Sequence, residues 1–443
     1  MRRFAIVVAT LALCVGLPLA SGTAAAATPG SGNVWIGGQP TAGRTWLART
    51  SGWPSDAVLT YQWFLDASPL PFAAGASTQV PASDLGHTVS VKVTGVSGAG
   101  TATVTGGPLR VQGDNPLAGD QWNAPDGPYQ ATWDGTSWVG YPDGIVHAPA
   151  AIQNRPRVTW MTAPDDKVNL SLSTQLAAKL TLLRRYIAIS QNGNPSALTQ
   201  LAIFGIYSVQ GGEQYLHNPL SNAEVTTYKN WITAMTQTLG QTRVAIVLEP
   251  DLAITTNPTT ASRALRQSLT RWAAYTLRQD RNATVYLSAG DADWLTPTQA
   301  ANLLKASGIA YVRGFDLGDT HYSTVGADLM QGAAVVRALT GLGYANKHFV
   351  IDTSDNGKGF GFSQDPKRLI CASKSSPPPC VTLGVPPTWQ VIDTRVPLTA
   401  TQKSYALRYQ DADLWIGRPW NNQQAWPYIP SWGYALAASS PYA

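Results

Sequence analysis

Apolar residues fall along this chain in two rhythms, and the change comes near residue 112. Before it, they alternate with polar residues. Leu59-Thr60-Tyr61-Gln62-Trp63-Phe64 and Val89-Ser90-Val91-Lys92-Val93-Thr94 read as half-buried strands, because successive side chains of a strand point to opposite faces. Gly, Pro and Ser clusters punctuate this region about every eight to twelve residues, which predicts a β-sandwich over 33–112. From residue 157 the pattern becomes short unbroken apolar runs separated by segments with helical spacing. Strands are expected at 158–161, 201–206, 244–248, 284–288, 311–317, 348–352 and 413–416. Helices are expected at 170–185, 223–239, 258–278, 297–307 and 326–342. Unbroken runs mark strands covered on both faces, so seven or eight βα repeats imply a parallel barrel or a near-closed relative.

The run at 244–248 ends in Glu249-Pro250-Asp251. Proline cannot donate a ladder hydrogen bond, so the strand stops there with both acids at its carboxyl end. In parallel sheets and barrels that end carries ligands and catalytic groups. The competing reading is a helix N-cap at Asp251. Other strand ends hold Trp160, Ser208, Gln210, Ser288 with Asp291 and Trp294, Thr320-His321-Tyr322 and Asp352, with Trp420 and Asn421 after the last strand. Singly, each is a cap or a solvated loop residue. Together they outline a cleft of aromatic rings and carboxamides, the look of a sugar-binding groove.

Composition agrees with that picture. Only 13% of the 443 residues are charged, against 16 Trp and 17 Tyr, whose rings stack on sugar faces while their polar tips hydrogen-bond. Residues 1–27 read as a signal peptide: Met1-Arg2-Arg3, an apolar run at 4–20 and an alanine-rich end. Nothing after it resembles a stop-transfer segment, so a secreted, extracellular protein is expected and no membrane partner. Losing Arg2 and Arg3 lowers the formal charge from +5 to +3, too little and too scattered for nucleic acid. Cys14 leaves with the signal peptide. Cys371 and Cys380 remain as an even pair in an oxidising compartment, which predicts a disulfide. No metal and no cofactor is implied, since two cysteines without nearby histidines do not make a zinc site. A monomer is expected.

Two resemblances sharpen this reading. Gly37-Gly38-Gln39-Pro40-Thr41-Ala42-Gly43, Tyr61-Gln62-Trp63 and the stretch 84–95 resemble immunoglobulin-like modules of exported actinobacterial proteins. Such a module acts as a spacer, a wall-adhesion unit or a sugar binder, with spacer favoured here. Val247-Leu248-Glu249-Pro250-Asp251, Val285-Tyr286-Leu287-Ser288-Ala289-Gly290 with Trp294-Leu295, and the stretch 348–357 resemble glycoside hydrolase family 6. Supporting pieces are Asn115-Pro116-Leu117-Ala118-Gly119, the stretch 383–388 and Asp413-Leu414-Trp415-Ile416. The resemblance implies an α/β fold, a distorted parallel β/α barrel of about seven strands over 115–443, preceded by the small all-β sandwich. It also implies inverting hydrolysis of β-1,4-glucan, with Asp251 as the proton donor.

The departures from the family pattern fall at the chemistry. Val209 and Gln210 stand where the family has Arg-Asp, Phe204 for the strand tyrosine, and Thr162 for an aspartate. Ser288 replaces the aspartate of Leu-Asp-Ala-Gly, Asp291 the histidine after it, and Asp355 an arginine. Near the end, Gly417 replaces a lysine, Asn421 a glutamate and Gln423 the presumed base, and no acidic residue follows Asp413. Carboxamides still hydrogen-bond hydroxyls but cannot accept a proton near neutral pH. Three readings follow: a slow glucan hydrolase, a non-catalytic polysaccharide binder with Trp160 and Trp294 as platforms, or a glycosidase for another polymer with Asp291, Asp293 or Asp355 as base. The expected substrate-facing set is Trp160, Trp294, Ser208, Gln210, Asp291, His321, Trp420 and Asn421.

Overall fold

A computed structural model describes residues 32–38, 41–71, 73–111, 113–119, 122–123, 132–133, 138–139, 148–212, 215–257, 259–361, 364, 369–424 and 428–442. The expected signal peptide lies outside the described residues. Strands β1 (Asn33–Gly38), β2 (Thr45–Ser51), β3 (Val58–Leu65), β4 (Ser68–Pro69), β5 (Ser77–Gln79), β6 (Thr88–Ser97) and β7 (Gly100–Arg110) form two antiparallel sheets, β1-β2-β5 and β4-β3-β6-β7. Val89, Val91 and Val93 point inward from β6 and pack with Trp46 and Trp63. Both buried indoles keep a partner, donating to the carbonyls of Thr41 and Gly75. A two-stranded ribbon of β8 (Thr132–Trp133) and β9 (Trp138–Val139) precedes the second unit.

That unit is a parallel sheet whose seven strands lie side by side in chain order. They are β10 (Thr159–Thr162), β11 (Thr199–Phe204), β12 (Val244–Leu248), β13 (Ala283–Ser288), β14 (Gly314–Leu317), β15 (His348–Asp352) and β16 (Gln410–Leu414). The helices are α1 (Ala150–Gln153), α2 (Leu172–Gln191), α3 (Asn222–Leu239), α4 (Leu252–Thr255), α5 (Arg263–Leu277), α6 (Pro297–Ser307), α7 (Val325–Gly341), α8 (Ala400–Tyr409) and α9 (Pro430–Ser439). The sheet curls until its two edges touch. Val158 N–H donates to Trp415 O at 2.9 Å, and the Trp160 indole donates to Ile416 O at 2.8 Å.

All five residues of β12 are buried, which is why its pattern is unbroken rather than alternating. Val244, Ile246 and Leu248 join the core under the helices, while Ala245 and Val247 face the barrel interior with Tyr286, Val350 and Leu414. Small interior residues, Ala202, Ala245 and Ala412, leave room for the large rings of Trp160 and Tyr286.

The limits of several elements shift, β14 for one beginning only at Gly314, and two of the shifts have a visible cause. The helix expected over 258–278 begins only at Arg263, after the short α4, because Ser262 adopts a left-handed conformation (φ 56°) before it. The last strand lies at Gln410–Leu414 rather than 413–416. Its early residues are polar but paired: Asp411 accepts from Tyr286 Oη (2.7 Å) and from Arg313 Nε (2.9 Å) and Nη2 (3.0 Å), and His348 Nδ1 stands 3.1 Å away. Partners that distant in sequence leave no trace in local hydropathy.

The sandwich sits at the amino ends of the barrel strands. Gln390 joins the main chain of Arg110, Asp114 meets Arg313 just before β14, and Arg243 just before β12 donates to the carbonyls of Pro116, Leu117 and Ala118. A cleft of roughly 710 Å³ separates the two units there, lined by Arg44, Arg49, Arg243 and Arg281 among others.

Burial pushes the Asp411 carboxyl up, and Arg313 with His348 more than reverses this, holding it below the usual carboxylate range. Arg313→Leu leaves that carboxylate short of its charge partner in a dry site, so a stability loss of about 3 kcal/mol is expected. Denaturant titration measures it, and a loss within experimental error would show that Asp411 does not depend on Arg313.

Candidate active site

The carboxyl ends of β12 to β16 converge on a group of acidic side chains. After β12 the chain turns through Glu249 (φ 56°) and Asp251 (φ 62°), both left-handed, on either side of Pro250. Non-glycine residues in that region each store about 1–3 kcal/mol and persist only where the surroundings over-determine them. Glu249 provides the constraint. Its carboxylate accepts from the N–H of Gly205 (3.1 Å) and Ile206 (3.0 Å) and from Tyr228 Oη (2.7 Å), tying the end of β12 to the end of β11. Burial drives its pKa up to about 7 against these donors. Glu249 is thus a staple facing away from solvent.

Asp251 is placed differently. It is half-buried, and although it precedes α4 its side chain makes no capping hydrogen bond. The capping reading therefore fails. Its main-chain N–H donates to Asp319 Oδ2 at 2.9 Å.

Asp319 follows β14 in the turn Gly318-Asp319-Thr320, where Gly318 (φ 85°) and Thr320 (φ 66°) are also left-handed. It is 1% exposed, and its Oδ2 accepts a second hydrogen bond from Ser288 Oγ at 2.9 Å. Burial, reinforced by the neighbouring Asp251, pushes Asp319 up to about 8. Asp316, on β14 itself, is wholly buried, and neither carboxylate oxygen has a hydrogen-bond partner. Burial and then the charges of Asp319 and Asp352 hold it well above the usual range.

Asp352, at the end of β15, accepts from four main-chain N–H groups: Ser354 (2.9 Å), Ile416 (3.0 Å), Thr320 (3.0 Å) and Gly417 (2.8 Å). Burial raises its pKa and these four donors oppose the rise. Arg418 supplies the cation. Its guanidinium lies 4.1 Å over the Trp160 ring, and burial lowers its pKa to about 9 against the pull of Asp251 and Asp319.

Comparison with known proteins places this geometry. Residues 145–397 match the profile of the glycosyl hydrolases family 6. The chain belongs to that family. Among solved structures, the endoglucanase Cel6 from Mycobacterium tuberculosis, in complex with methyl-cellobiosyl-4-deoxy-4-thio-β-D-cellobioside, superposes with a TM-score of 0.51 at 27% identity, covering 73% of this chain and 98% of that one. Endoglucanase A of Cellulomonas fimi is 29% identical over 167 residues, 38% of this chain and 35% of its own length. Endoglucanase 1 of Streptomyces halstedii is 29% identical over 146 residues, 32% of this chain and 45% of its own. The chain thus matches between a third and a half of the length of these two endoglucanases.

Within this family 6 barrel, several side chains expected in the groove turn out to be internal. Trp160 is 4% exposed, bonded to Ile416 and covered by Arg418, so its face is not an open platform. Ser208 is half-buried, its Oγ donating to Phe204 O and accepting from Ala163 N–H. Gln210 is buried against Arg266 and Asn218 O. Asp291 is buried and accepts from Ser323 Oγ (2.8 Å) and Ala292 N–H (2.8 Å). Trp420 and Asn421 are each 1% exposed, and Trp420 packs on Trp415. The common cause is that a strand-end residue faces the interior as readily as the groove, and hydropathy does not distinguish the two.

Trp294 and His321 stay at the surface of the site, half-buried and edge-to-face at 4.1 Å. Phe204 also remains, in contact with Trp160 and Tyr207. The side chain of Gln423 lies outside the described residues. Its neighbour Gln424 turns inward, donating to Asp355 Oδ2 and Thr320 O (3.0 Å each) and accepting from Arg418 N–H. Cys371 and Cys380 are joined in the expected disulfide. Asp316, Asp319 and Arg418 were not anticipated. Gly318-Asp319-Thr320 reads as an ordinary turn, and only its position after an apolar strand could have flagged it.

The carboxyls of Glu249, Asp319 and Asp413 are pushed up to about 7, 8 and 8, respectively. The folded chain therefore holds protons that the unfolded chain releases near pH 4, and stability falls as pH climbs from about 4 to about 8. Thermal unfolding is expected to show a lower midpoint at about pH 8.5 than at about pH 5. A midpoint that stays flat or rises across that window contradicts these assignments.

Proposed function

We propose that this protein is a secreted glycosidase that cleaves β-1,4-glucan with inversion, Asp251 donating the proton to the departing glycosidic oxygen. The observation that carries this is Asp251 itself: half-exposed at the strand end, excused from capping and held by its main chain beside buried carboxyls. Family membership and the endoglucanase relatives support the reaction class. In the proposed step the bond from C1 to the leaving oxygen breaks as Asp251 protonates that oxygen, and a water bonds C1 from the opposite face. Gln210 and Asn421 are carboxamides and cannot take the water's proton, which in this step passes to solvent. Asp251 regains its own proton from solvent. Turnover is expected to be slow, because losing a general base costs about 10²–10⁴-fold.

Trp294, with His321 against its edge, forms the sugar-stacking platform in this reading. The cleavable leader and the disulfide support export. The two-sheet module acts as an immunoglobulin-like spacer.

A second reading, a glucan-binding protein without activity, is favoured by Gln210 and Asn421, buried carboxamides at positions where the resemblance has acids. Reducing ends released from soluble β-1,4- and mixed-linkage glucans separate the two. Wild type should exceed Asp251→Ala by about 10²-fold or more. Equal background in both rejects the enzyme, and a glucan binding isotherm then decides the binding reading.

A further inference from the structure

We propose that the cleft between the sandwich and the barrel is a second polysaccharide site, one that takes a chain bearing carboxylates, such as a polyuronate. It lies at the amino ends of the barrel strands and does not depend on the reading of Asp251.

The cleft is positive. Four guanidinium groups line it, from Arg44, Arg49, Arg243 and Arg281, and no Asp or Glu is among its described lining residues. Charges of one sign on a concave, low-dielectric wall reinforce each other's field and concentrate anions there. The arginines lie far apart in sequence, two in the sandwich and two in the barrel, so no basic run betrays them. Asp114 reaches Arg44 but is shared: Oδ1 lies 3.3 Å from Arg44 Nη2, and Oδ2 lies 3.4 Å from Arg313 Nη1. Arg44 and Asp114 are both exposed, and an ion pair in water contributes little. Arg44 therefore exchanges that partner readily for a ligand carboxylate.

Regular elements fix the two walls. Thr45, Leu47 and Arg49 occupy alternate positions of β2 and front the cleft, while Trp46 between them is buried in the sandwich core. Alternation along the strand puts those three side chains on the face opposite the core. On the barrel side, Arg243 immediately precedes β12, and its guanidinium is held by the carbonyls of Ser196 (2.8 Å), Leu117 (2.9 Å) and Ala118 (2.8 Å). Arg281 and Asn282 immediately precede β13, and Arg281 is exposed.

The rest of the lining favours a glycan over a bare chain of charges. Thr45, Gln241 and Asn282 bring a hydroxyl and two carboxamides, which both donate to and accept from sugar hydroxyls. The volume, roughly 710 Å³, suits a short run of sugar units. Guanidinium forks match carboxylates bidentately, so charge and hydroxyl recognition converge on an acidic sugar chain.

Calorimetric titration of the whole protein with polygalacturonate, its methyl ester and inorganic polyphosphate tests this. Polygalacturonate is expected to bind, more weakly as salt is raised, whereas the uncharged ester does not bind and polyphosphate binds less tightly. Arg44→Gln combined with Arg281→Gln should weaken polygalacturonate binding about tenfold or more. Arg281→Gln alone, at an exposed position, should shift it in the same direction and guards against a folding defect. Lys305→Gln combined with Lys403→Gln removes the same charge from exposed positions on α6 and α8 and should leave binding unchanged. Absence of polygalacturonate binding, or an equal loss in the arginine and lysine variants, overturns the proposal. Polyphosphate held more tightly than polygalacturonate overturns the choice of a glycan.

Discussion

Buried carboxylates that accept main-chain N–H groups hold the working end of this barrel together. Asp352 is the strongest example, since its four donors come from the turn after β14, from its own turn and from the segment after β16. Desolvating a carboxylate costs several kcal/mol, and hydrogen bonds to a charged group return about 1.5–3 kcal/mol each. Four such bonds roughly balance the cost. The result adds little net stability but fixes three loops relative to one another. Glu249 does the same between β11 and β12. The left-handed residues Glu249, Asp251 and Thr320 can exist where they do because these anchors leave the chain no other path.

How far the sequence disclosed this depends on whether the determining partner was local. Strand β12 and helix α6 fall at their expected limits, because a buried apolar run and a proline-led capping box are local features. Strand β16 was expected too late because Gln410 and Asp411 look like loop residues until Asp413, Arg313 and Tyr286 are beside them. The candidate groove suffered most. Trp160, Gln210, Asp291, Trp420 and Asn421 were assigned to it by strand-end position, yet each is buried among protein partners. Asp251 follows directly on the end of β12, because Pro250 fixes a strand end from sequence alone. Asp319 escaped notice because what matters about it is a hydrogen bond to a residue 68 positions away.

Arg418 has a double effect on the site. It moderates the negative charge of Asp251 and Asp319, and it covers the ring of Trp160. A cation on an indole face is worth about 0.5–2 kcal/mol, more when desolvated. A sugar ring stacking on that face would have to displace it, exposing the carboxylates to each other. Anything that displaced Arg418 from the ring would therefore also change the charge around Asp251 and Asp319.

The sandwich meets the barrel at the amino ends of its strands, through Arg110 and, in the joint that follows it, Asp114. The acidic site lies at the other end. A polymer lying across the rim therefore runs past the module without meeting it. The module and the acidic group thus lie at opposite ends of the barrel strands, and a contact made at one end leaves the other clear.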